Sequence, residues 1–260
     1  MTKVAILGCG WLGLPLAVEL LKSGYQVNGS ATSIEKRNTL IDTGINSFIL
    51  DLDSFENNLN DFLNVDELII TIPPRLKNHI KTFKSLIAKI ESSPIKRVTY
   101  TSSISVYGNA TGIITEETET NPTRASVIQI TEIEQLLLNN TKFNTNIIRL
   151  GGLIGPNRHP AYHLSGKIIK SPNELINLIH LEDCVAVIEQ LLKTNISNEV
   201  FNLVNPYHPK KGVYYSKYCE YLNLTLPIIN NNPKPLIKEV SSRKICDSLN
   251  YIFKNNLILS

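Results

Sequence analysis

The fold is decided by residues 4–17, VAILGCGWLGLPLA. The first four residues are apolar and predict a buried strand that ends at the first glycine. The leucines that follow recur every four residues and predict a helix, which Gly24 ends. A short strand that leads directly into a helix indicates an α/β unit with a parallel sheet.

The glycines between this strand and helix have distinct uses. Gly8 permits a tight turn, Gly10 lets a ligand approach the backbone, and Gly13 lets the helix pack closely on the strand. The helix N-terminus adds free N–H groups and positive potential, which suit a pyrophosphate. We therefore predict a dinucleotide site whose first residues are Gly8, Gly10, Trp11, Leu12 and Gly13. The alternative is a glycine-rich turn that binds no ligand.

Further along, short apolar strands alternate with amphipathic helices, which is typical of a parallel sheet covered on both faces. The predicted strands are 25–30, 47–50, 68–72, 97–101, 146–150 and a returning strand at 199–204. The predicted helices are one that Ser33 caps and Gly44 ends, 77–91, 126–139 and 180–193. We predict an α/β fold, a Rossmann-type doubly wound parallel sheet built from two mononucleotide-binding halves.

The regular alternation weakens after residue 155. Prolines at 156, 160, 172, 206, 209 and 227 break this part of the chain into short pieces. We expect residues 1–155 to form the NAD(P)-binding domain and residues 156–260 to form a small substrate-facing region. Residues 180–205 are expected to return to the sheet.

The end of the second strand decides which dinucleotide is preferred. Sheets that prefer NAD place an acidic residue there, and residues 28–33 contain none. Thr32 and Ser33 offer hydroxyl groups, and Lys36 and Arg37 follow within one turn, which suits a 2′-phosphate. These features favour NADP over NAD. Against this, Ser33 could serve only as a helix cap, the basic pair could be only solvated surface, and Glu35 could reverse the preference.

Other strand ends supply further candidate contacts to the cofactor. Asp51 could accept a hydrogen bond from the adenine amine, or it could simply cap a loop. Leu52, Pro73 and Thr101 also follow or end predicted strands, where open α/β sheets bind their ligands.

Residues 97–112, RVTYTSSISVYGNATG, carry a more specific signal. The segment resembles the serine-bearing strand of the atypical and extended short-chain dehydrogenase/reductase superfamily, which includes NAD(P)-dependent epimerases and dehydratases. Further matches follow in order: Glu116, Pro122, Glu134-Gln135, IIRLGGLIGPNR at 147–158 and HLEDCV at 180–185. The sequences GCGWLG and GPNRHP bring the chain nearest to small atypical NAD(P)-binding proteins described as epimerases.

The resemblance implies a catalytic role for one serine, but the tyrosine and lysine that the family uses for proton transfer are absent from this sequence. Ser103 matches the serine that hydrogen-bonds the reacting oxygen. The family's Tyr-x-x-x-Lys pair should stand eight and four residues before Glu134, but these positions hold Ser126 and Ile130. An isoleucine cannot lower a tyrosine pKa, so the usual proton-transfer pair is missing. Ile104 and Ser105 also replace the acidic pair of dehydratases, which makes dehydration the least favoured branch.

Other residues could substitute for the missing pair. Tyr107 is near Ser103 in sequence and is a weak candidate proton donor, although it could equally pack beside the strand. The segment after Gly155 offers Arg158, His159, Tyr162 and His163. Histidine can transfer protons near neutral pH, but surface histidines are common.

These observations lead to two hypotheses. The first is an NAD(P)-dependent oxidoreductase or epimerase, with NADP preferred, that acts on a small polar or nucleotide-linked substrate. The second is a dinucleotide-binding sensor or scaffold protein that has lost the catalytic pair.

Composition narrows the partners and the location. The net charge of +3 comes from scattered basic residues, which does not indicate a nucleic-acid surface. No apolar stretch approaches the roughly 20 residues of a membrane span. The four cysteines are far apart in sequence, and no cluster has metal-ligand spacing. We expect a cytoplasmic protein with free thiols, no metal and a small-molecule substrate, and a homodimer stays an open option.

Overall fold

A computed structural model describes residues 2–52, 59–73, 79–230, 237–255 and 257 of the chain. The strands in this part are β1 (Lys3–Leu7), β2 (Gln26–Ala31), β3 (Asn46–Ile49), β4 (Glu67–Ile70), β5 (Arg97–Ser103), β6 (Gly112–Ile114), β7 (Asn144–Leu150), β8 (Gly152–Ile154), β9 (Ile168–Lys170), β10 (Leu178–His180), β11 (Glu199–Leu203), β12 (Ile228–Asn230) and β13 (Lys238–Val240). The helices are α1 (Gly13–Lys22), α2 (Ile34–Asp42), α3 (Leu59–Phe62), α4 (His79–Glu91), α5 (Ala125–Leu138), α6 (Pro160–Leu164), α7 (Leu181–Leu192), α8 (Lys211–Tyr221) and α9 (Arg243–Leu249), with a 3-10 helix at Ile104–Tyr107. None of the helices in the described part combines the length and the hydropathy that crossing a membrane requires.

Within the described residues, seven strands form one sheet in the order β11-β7-β5-β4-β1-β2-β3. The central strand β1 pairs in parallel with both β2 and β4. From β1 the chain continues through β2 and β3 to one edge of the sheet, and from β4 it continues through β5, β7 and β11 to the other edge. The strand order therefore reverses between β1 and β4, the position at which doubly wound sheets bind their ligands. The predicted Rossmann-type α/β fold is confirmed.

The strands and helices predicted from periodicity begin and end within two residues of the observed bounds. The predicted start of the helix 77–91 is the exception, because residues 77 and 78 lie outside the described residues. The strands β6, β8, β9, β10, β12 and β13 were not predicted. Each has only three residues, which is too short to show an alternating pattern.

Contacts divide the chain into two compact units. The first comprises Met1–Val106, Pro122–Arg149 and Val187–Val200, and the second comprises Tyr107–Asn121, Leu150–Ala186 and Phe201–Ser260. The short segment Tyr107–Asn121 belongs to the second unit although both sequence neighbours belong to the first. The expected division at residue 155 into cofactor-facing and substrate-facing regions concerns function and stays a prediction.

The core of the first unit is the sheet with the helices that cover it. Val4 and Ile6 of β1 have no exposed surface, and neither does Leu68 of β4. On α1 the predicted stripe, represented by Leu16 and Leu20, is fully buried. Strands that are buried on both faces must be apolar throughout, so the residues free to bind ligands are those that follow the strand ends.

The second unit contains the parallel strand pairs β6-β13, β8-β10 and β9-β12. Asp183 is fully buried and accepts hydrogen bonds from the Tyr251 hydroxyl at 2.7 Å and the Lys254 backbone N–H at 2.8 Å. His180 Nδ1 accepts the Glu182 backbone N–H at 3.3 Å. Asp183 thus anchors the C-terminal segment within its own unit, and His180 caps the start of α7.

Candidate functional site

Gly8 forms the turn that ends β1. Its φ of +106° lies in the region that favours glycine, and a Cβ there would come within 2.8 Å of Ile72 Cγ2. Two side chains hold the turn: the Gly8 N–H donates to Ser30 Oγ at 2.7 Å, and Thr71 Oγ1 donates to the Gly8 carbonyl at 2.7 Å. Ser30 is the penultimate residue of β2 and Thr71 follows β4, so both strands that flank β1 fix this turn. Neither residue was predicted, because the sequence does not show which side chains converge on a loop.

The two later glycines of the loop have different surroundings. A Cβ at Gly13 would overlap the Gly8 carbonyl oxygen and would lie 2.8 Å from Thr71 Oγ1. Glycine at 13 therefore brings α1 close to β1, as predicted. A Cβ at Gly10 would meet no atom nearer than the Gly8 carbonyl oxygen at 4.0 Å. Packing within the protein does not require a glycine at position 10, which leaves open space for a ligand.

The N-terminus of α1 follows Gly10 directly. Leu12 is the N-cap residue, and in the described part of the chain no side chain caps this end. The Leu14 N–H donates to the Gly10 carbonyl at 3.0 Å, and the helix dipole adds positive potential at this end. Leu12 itself is buried and Trp11 is half-buried. The loop therefore fits an anionic pyrophosphate without a basic side chain.

The region after β2 contains the residues that we expect to select the dinucleotide. Ser33 is the N-cap of α2, and its Oγ accepts the Lys36 backbone N–H at 3.4 Å. A hydrogen bond from Ser33 also lowers the pKa of Glu35, so this carboxylate is ionised at neutral pH. The alternative interpretation of Ser33 as a helix cap thus describes its observed contacts. Thr32 and the side chain of Lys36 are exposed.

The other candidate cofactor residues lie at the same edge of the sheet. Asp51 is exposed shortly after β3, and Leu52 beside it is buried. Pro73 is exposed after β4, and Thr101 of β5 donates its hydroxyl to the Ile70 carbonyl at 3.1 Å. Because β3, β2, β1, β4 and β5 pair in parallel, their carboxyl ends meet at one edge. Pro74, which follows Pro73, lies outside the described residues.

Ser103 ends β5 and is held by Ser105. Its Oγ accepts two hydrogen bonds, one from the Ser105 backbone N–H at 3.2 Å and one from the Ser105 hydroxyl at 2.9 Å. A serine hydroxyl has one proton and two acceptor lone pairs. Ser105 therefore fixes the position of the Ser103 hydroxyl at the end of β5. The sequence identified Ser105 only as a replacement for an acidic residue and missed this pairing.

The two positions at which the resemblance expects the catalytic pair lie in the first half of α5. Ser126 is exposed at the start of α5, and Ile130 is buried with 5% of its surface exposed. Glu134, one turn further, is fully buried and forms an ion pair with Arg149 in which Nη2 and Oε2 are 2.7 Å apart. The Ser102 hydroxyl also donates to Glu134. Glu134 therefore stabilises the fold by joining α5, β5 and β7.

Tyr107 belongs to the second unit and is fully buried. Its hydroxyl donates to Asn202 Oδ1 at 2.7 Å, and the Lys238 Nζ lies 5.8 Å from the centre of its ring. A buried hydroxyl that is already bonded argues against the expected role as proton donor. The alternative, that Tyr107 packs beside the strand, agrees with its observed contacts.

The histidines after Gly155 also belong to the second unit. His159 caps α6 by accepting the Ala161 backbone N–H at 3.2 Å, and its ring stacks on Tyr218 with centroids 3.6 Å apart. Burial lowers the pKa of His159 to about 4. This imidazole is therefore a neutral structural cap near pH 7. His163 is exposed.

Cys9 lies inside the glycine loop, but it is not a reactive thiol. Burial raises the pKa of Cys9 to about 12, and its Sγ donates to the Ile6 carbonyl at 3.6 Å. A Cβ at Gly29 would come within 2.9 Å of this sulfur. The thiol thus packs against β2 and stays protonated at neutral pH.

Comparison with known proteins agrees with this arrangement. Residues 4–203 match the model of the NAD dependent epimerase/dehydratase family. The chain belongs to this family. The match begins in β1 and ends in β11, so it includes the glycine loop, Ser103 and both positions of the missing pair.

One relative and two solved structures resemble the chain over nearly its whole length. Protein YeeZ of Escherichia coli strain K12 is 33% identical over 264 residues, which cover 98% of this chain and 96% of YeeZ. A conserved protein of unknown function from Silicibacter pomeroyi superposes with a TM-score of 0.82 at 21% identity, covering 99% and 95% of the two chains. UDP-glucuronic acid 4-epimerase from Bacillus cereus, solved in complex with NAD, gives a TM-score of 0.82 at 18% identity, covering 98% and 92%.

Proposed function

We propose that the chain binds NADP(H) over its glycine loop and catalyses hydride transfer, as an oxidoreductase or epimerase, on a small polar or nucleotide-linked substrate. The observation that carries this proposal is the open space at Gly10 above the uncapped N-terminus of α1. A pyrophosphate suits this position, because backbone donors and the helix dipole both favour an anion there. The Bacillus cereus epimerase, which was solved with NAD, adds support through its fold.

The preference for NADP depends on the charges near the end of β2. Thr32 and Lys36 are exposed there and could bind a 2′-phosphate, whereas the Ser33 hydroxyl is already engaged by α2. Glu35 opposes the preference, because its ionised carboxylate lies beside Ser33 and would repel the phosphate. The proposed preference for NADP therefore depends on Thr32 and Lys36, whose contacts with the 2′-phosphate must outweigh the repulsion from Glu35.

We expect NADPH to bind about tenfold more tightly than NADH at low salt, since a charge-assisted contact to an exposed lysine is weakened by solvent. Calorimetric titration with both dinucleotides measures this ratio, which should shrink as salt rises. Glu35→Gln should raise the ratio and Lys36→Gln should lower it. Lys22→Gln is the control, because Lys22 is an exposed lysine at the C-terminal end of α1. Tighter binding of NADH at both low and high salt would contradict the preference.

Ser103 is proposed to act on the substrate oxygen. A bound nicotinamide would supply or accept the hydride. Ser105 holds Ser103 Oγ through its backbone N–H at 3.2 Å and its hydroxyl at 2.9 Å, and Ser103 is proposed to donate its proton to the oxygen on which negative charge develops. The proton that completes the reaction is proposed to come from water or another residue, because neither Ser126 nor Ile130 can supply it.

Ser103→Ala should reduce turnover by roughly ten- to a thousandfold, because it removes a donor to the transition-state oxygen. Ser126→Ala and the conservative Ile130→Val should leave turnover nearly unchanged. Ser105→Thr, which keeps a hydroxyl, should retain more turnover than Ser105→Ala. The measurement is the substrate-dependent change in NADPH absorbance. A large loss in Ser126→Ala together with none in Ser103→Ala would reverse these roles.

The buried Ile130 supports a second candidate, a dinucleotide-binding sensor or scaffold protein. An apolar, buried side chain stands at the position where the resemblance expects the catalytic lysine. A sensor would bind NADPH without consuming it. Screening sugar nucleotides, aldehydes and imines for a change in NADPH absorbance separates the two candidates. Turnover of any of them supports the enzyme, whereas tight NADPH binding without turnover across the panel favours the sensor.

A further inference from the structure

The carbonyl oxygen of Gly8 lies at the edge of the space that we propose for the pyrophosphate. Among the described residues other than 9–11, this oxygen is the nearest atom to a Cβ built at Gly10, at 4.0 Å. It also lies against the first residue of α1, because a Cβ at Gly13 would overlap it. A carbonyl oxygen carries a partial negative charge and two acceptor lone pairs, so on its own it would repel a pyrophosphate here.

In the described part of the chain, two donors bond this oxygen. The Gly10 N–H donates to it at 2.7 Å from within the loop, and the Thr71 hydroxyl donates to it at 2.7 Å from the residue that follows β4. The Thr71 hydroxyl has a single proton, and the Leu7 carbonyl is a second acceptor, 3.4 Å away. That carbonyl is already bonded by the Thr71 backbone N–H at 2.9 Å, so the shorter contact with Gly8 takes the hydroxyl proton.

We propose that Thr71 is a positioning residue for the dinucleotide, a role that depends on the proposed binding of the pyrophosphate at the glycine loop. The hydroxyl proton of Thr71 offsets part of the negative charge on the Gly8 carbonyl oxygen, and the bond holds the Gly8 peptide in its orientation. Because Thr71 is half-buried, water replaces this donor only in part when the hydroxyl is removed. An acceptor that has lost one donor would then lie close to the pyrophosphate.

The effect of removing the hydroxyl should depend on the charge of the ligand. NADPH and ADP contain a pyrophosphate and adenosine does not, although all three contain adenine and ribose. In Thr71→Val the side chain nearly keeps its shape but has no hydroxyl, so NADPH and ADP should bind about tenfold more weakly than to the unchanged protein. Adenosine should bind the two proteins equally. Calorimetric titration with each ligand measures this difference.

Two further variants separate the role of the hydroxyl from a general loss of stability. Thr71→Ser keeps the donor and should bind NADPH nearly as tightly as the unchanged protein. Thr145→Val is the matched control, because Thr145 is fully buried in β7 and its hydroxyl donates to the Leu137 carbonyl at 2.9 Å. This variant loses the same kind of hydrogen bond outside the glycine loop. Its unfolding temperature should fall while its affinity for NADPH stays unchanged.

Equal affinity of Thr71→Val and the unchanged protein for NADPH would overturn the role of Thr71, while the dinucleotide site itself would stand. An equal loss of NADPH and adenosine binding in Thr71→Val would also overturn it, and so would a comparable loss of NADPH binding in Thr145→Val. In both cases the cause would be a distorted or destabilised protein and not the charge beside the pyrophosphate. If the unchanged protein bound neither NADPH nor ADP, the proposed dinucleotide site would be wrong and the role of Thr71 would fall with it.

Discussion

Gly10→Val should abolish NADPH binding while the chain stays folded. A Cβ at Gly10 meets no atom nearer than 4.0 Å, and the backbone there does not have the positive φ that would exclude a branched residue. The protein can therefore accept the valine, whereas a pyrophosphate over α1 would collide with it. We expect the affinity for NADPH to fall by about a hundredfold or more, which corresponds to roughly 2.7 kcal/mol. Quenching of Trp11, the single tryptophan, measures the binding.

Gly13→Ala is the matched comparison for this experiment. Its Cβ would overlap the Gly8 carbonyl oxygen, so α1 could not keep its position against β1. This variant should lose NADPH binding together with stability, which a lower unfolding temperature and altered circular dichroism would reveal. Gly10→Val should lose binding alone. Undiminished NADPH binding by Gly10→Val would show that the glycine loop is not the dinucleotide site.

The first half of the fold could be predicted because several local signals agree. In β1 the apolar residues form a continuous run, whereas in α1 leucines recur every four residues, and a glycine loop separates the two patterns. At α2, Ser33 and Gly44 mark the two ends, and the observed helix Ile34–Asp42 lies between them. These signals lie within a few residues of one another, so they can be recognised in the sequence without knowledge of the tertiary structure.

The chemistry of the site was only partly predictable. The sequence allows more than one role for several side chains, and their hydrogen bonds in the folded protein decide which role each one has. Ser33 could bind a phosphate or cap a helix, and its bond to the Lys36 N–H shows that it caps. Tyr107 could transfer a proton or pack, and its partner Asn202 is 95 residues away. A pairing across such a distance leaves no local signal. Ser105, in contrast, is two residues from Ser103, and a serine–serine turn could have been considered.

Glu134 shows why a partial match to a family motif needs a structural explanation. The resemblance matches this glutamate while the two positions before it depart from the pattern. The structure gives Glu134 a role that does not depend on them, since it accepts hydrogen bonds from Arg149 Nε at 3.1 Å and Nη2 at 2.7 Å. Burial and the charge of Glu134 also raise the pKa of Tyr100, which stays a neutral phenol. The glutamate can therefore be retained for stability alone.

Glu134→Gln should destabilise the first unit by about 3–5 kcal/mol, because it leaves the Arg149 guanidinium buried without a carboxylate. The two side chains are 0% and 6% exposed, so water cannot replace the lost partner. Urea unfolding followed by Trp11 fluorescence reports on this unit, to which Trp11 belongs. Arg149→Met should be similarly destabilising, since it leaves the carboxylate buried and unpaired.

Two further variants distinguish the ion pair from a general loss of packing. In Glu134→Leu/Arg149→Met both charges are gone, so we expect a much smaller destabilisation than in either single variant. Lys22→Gln breaks the exposed pair with Glu19, whose side chains are 68% and 40% exposed, and should cost less than about 1 kcal/mol. If the double variant were as unstable as the single variants, the destabilisation would not come from an unpaired buried charge, because neither charge is left in it.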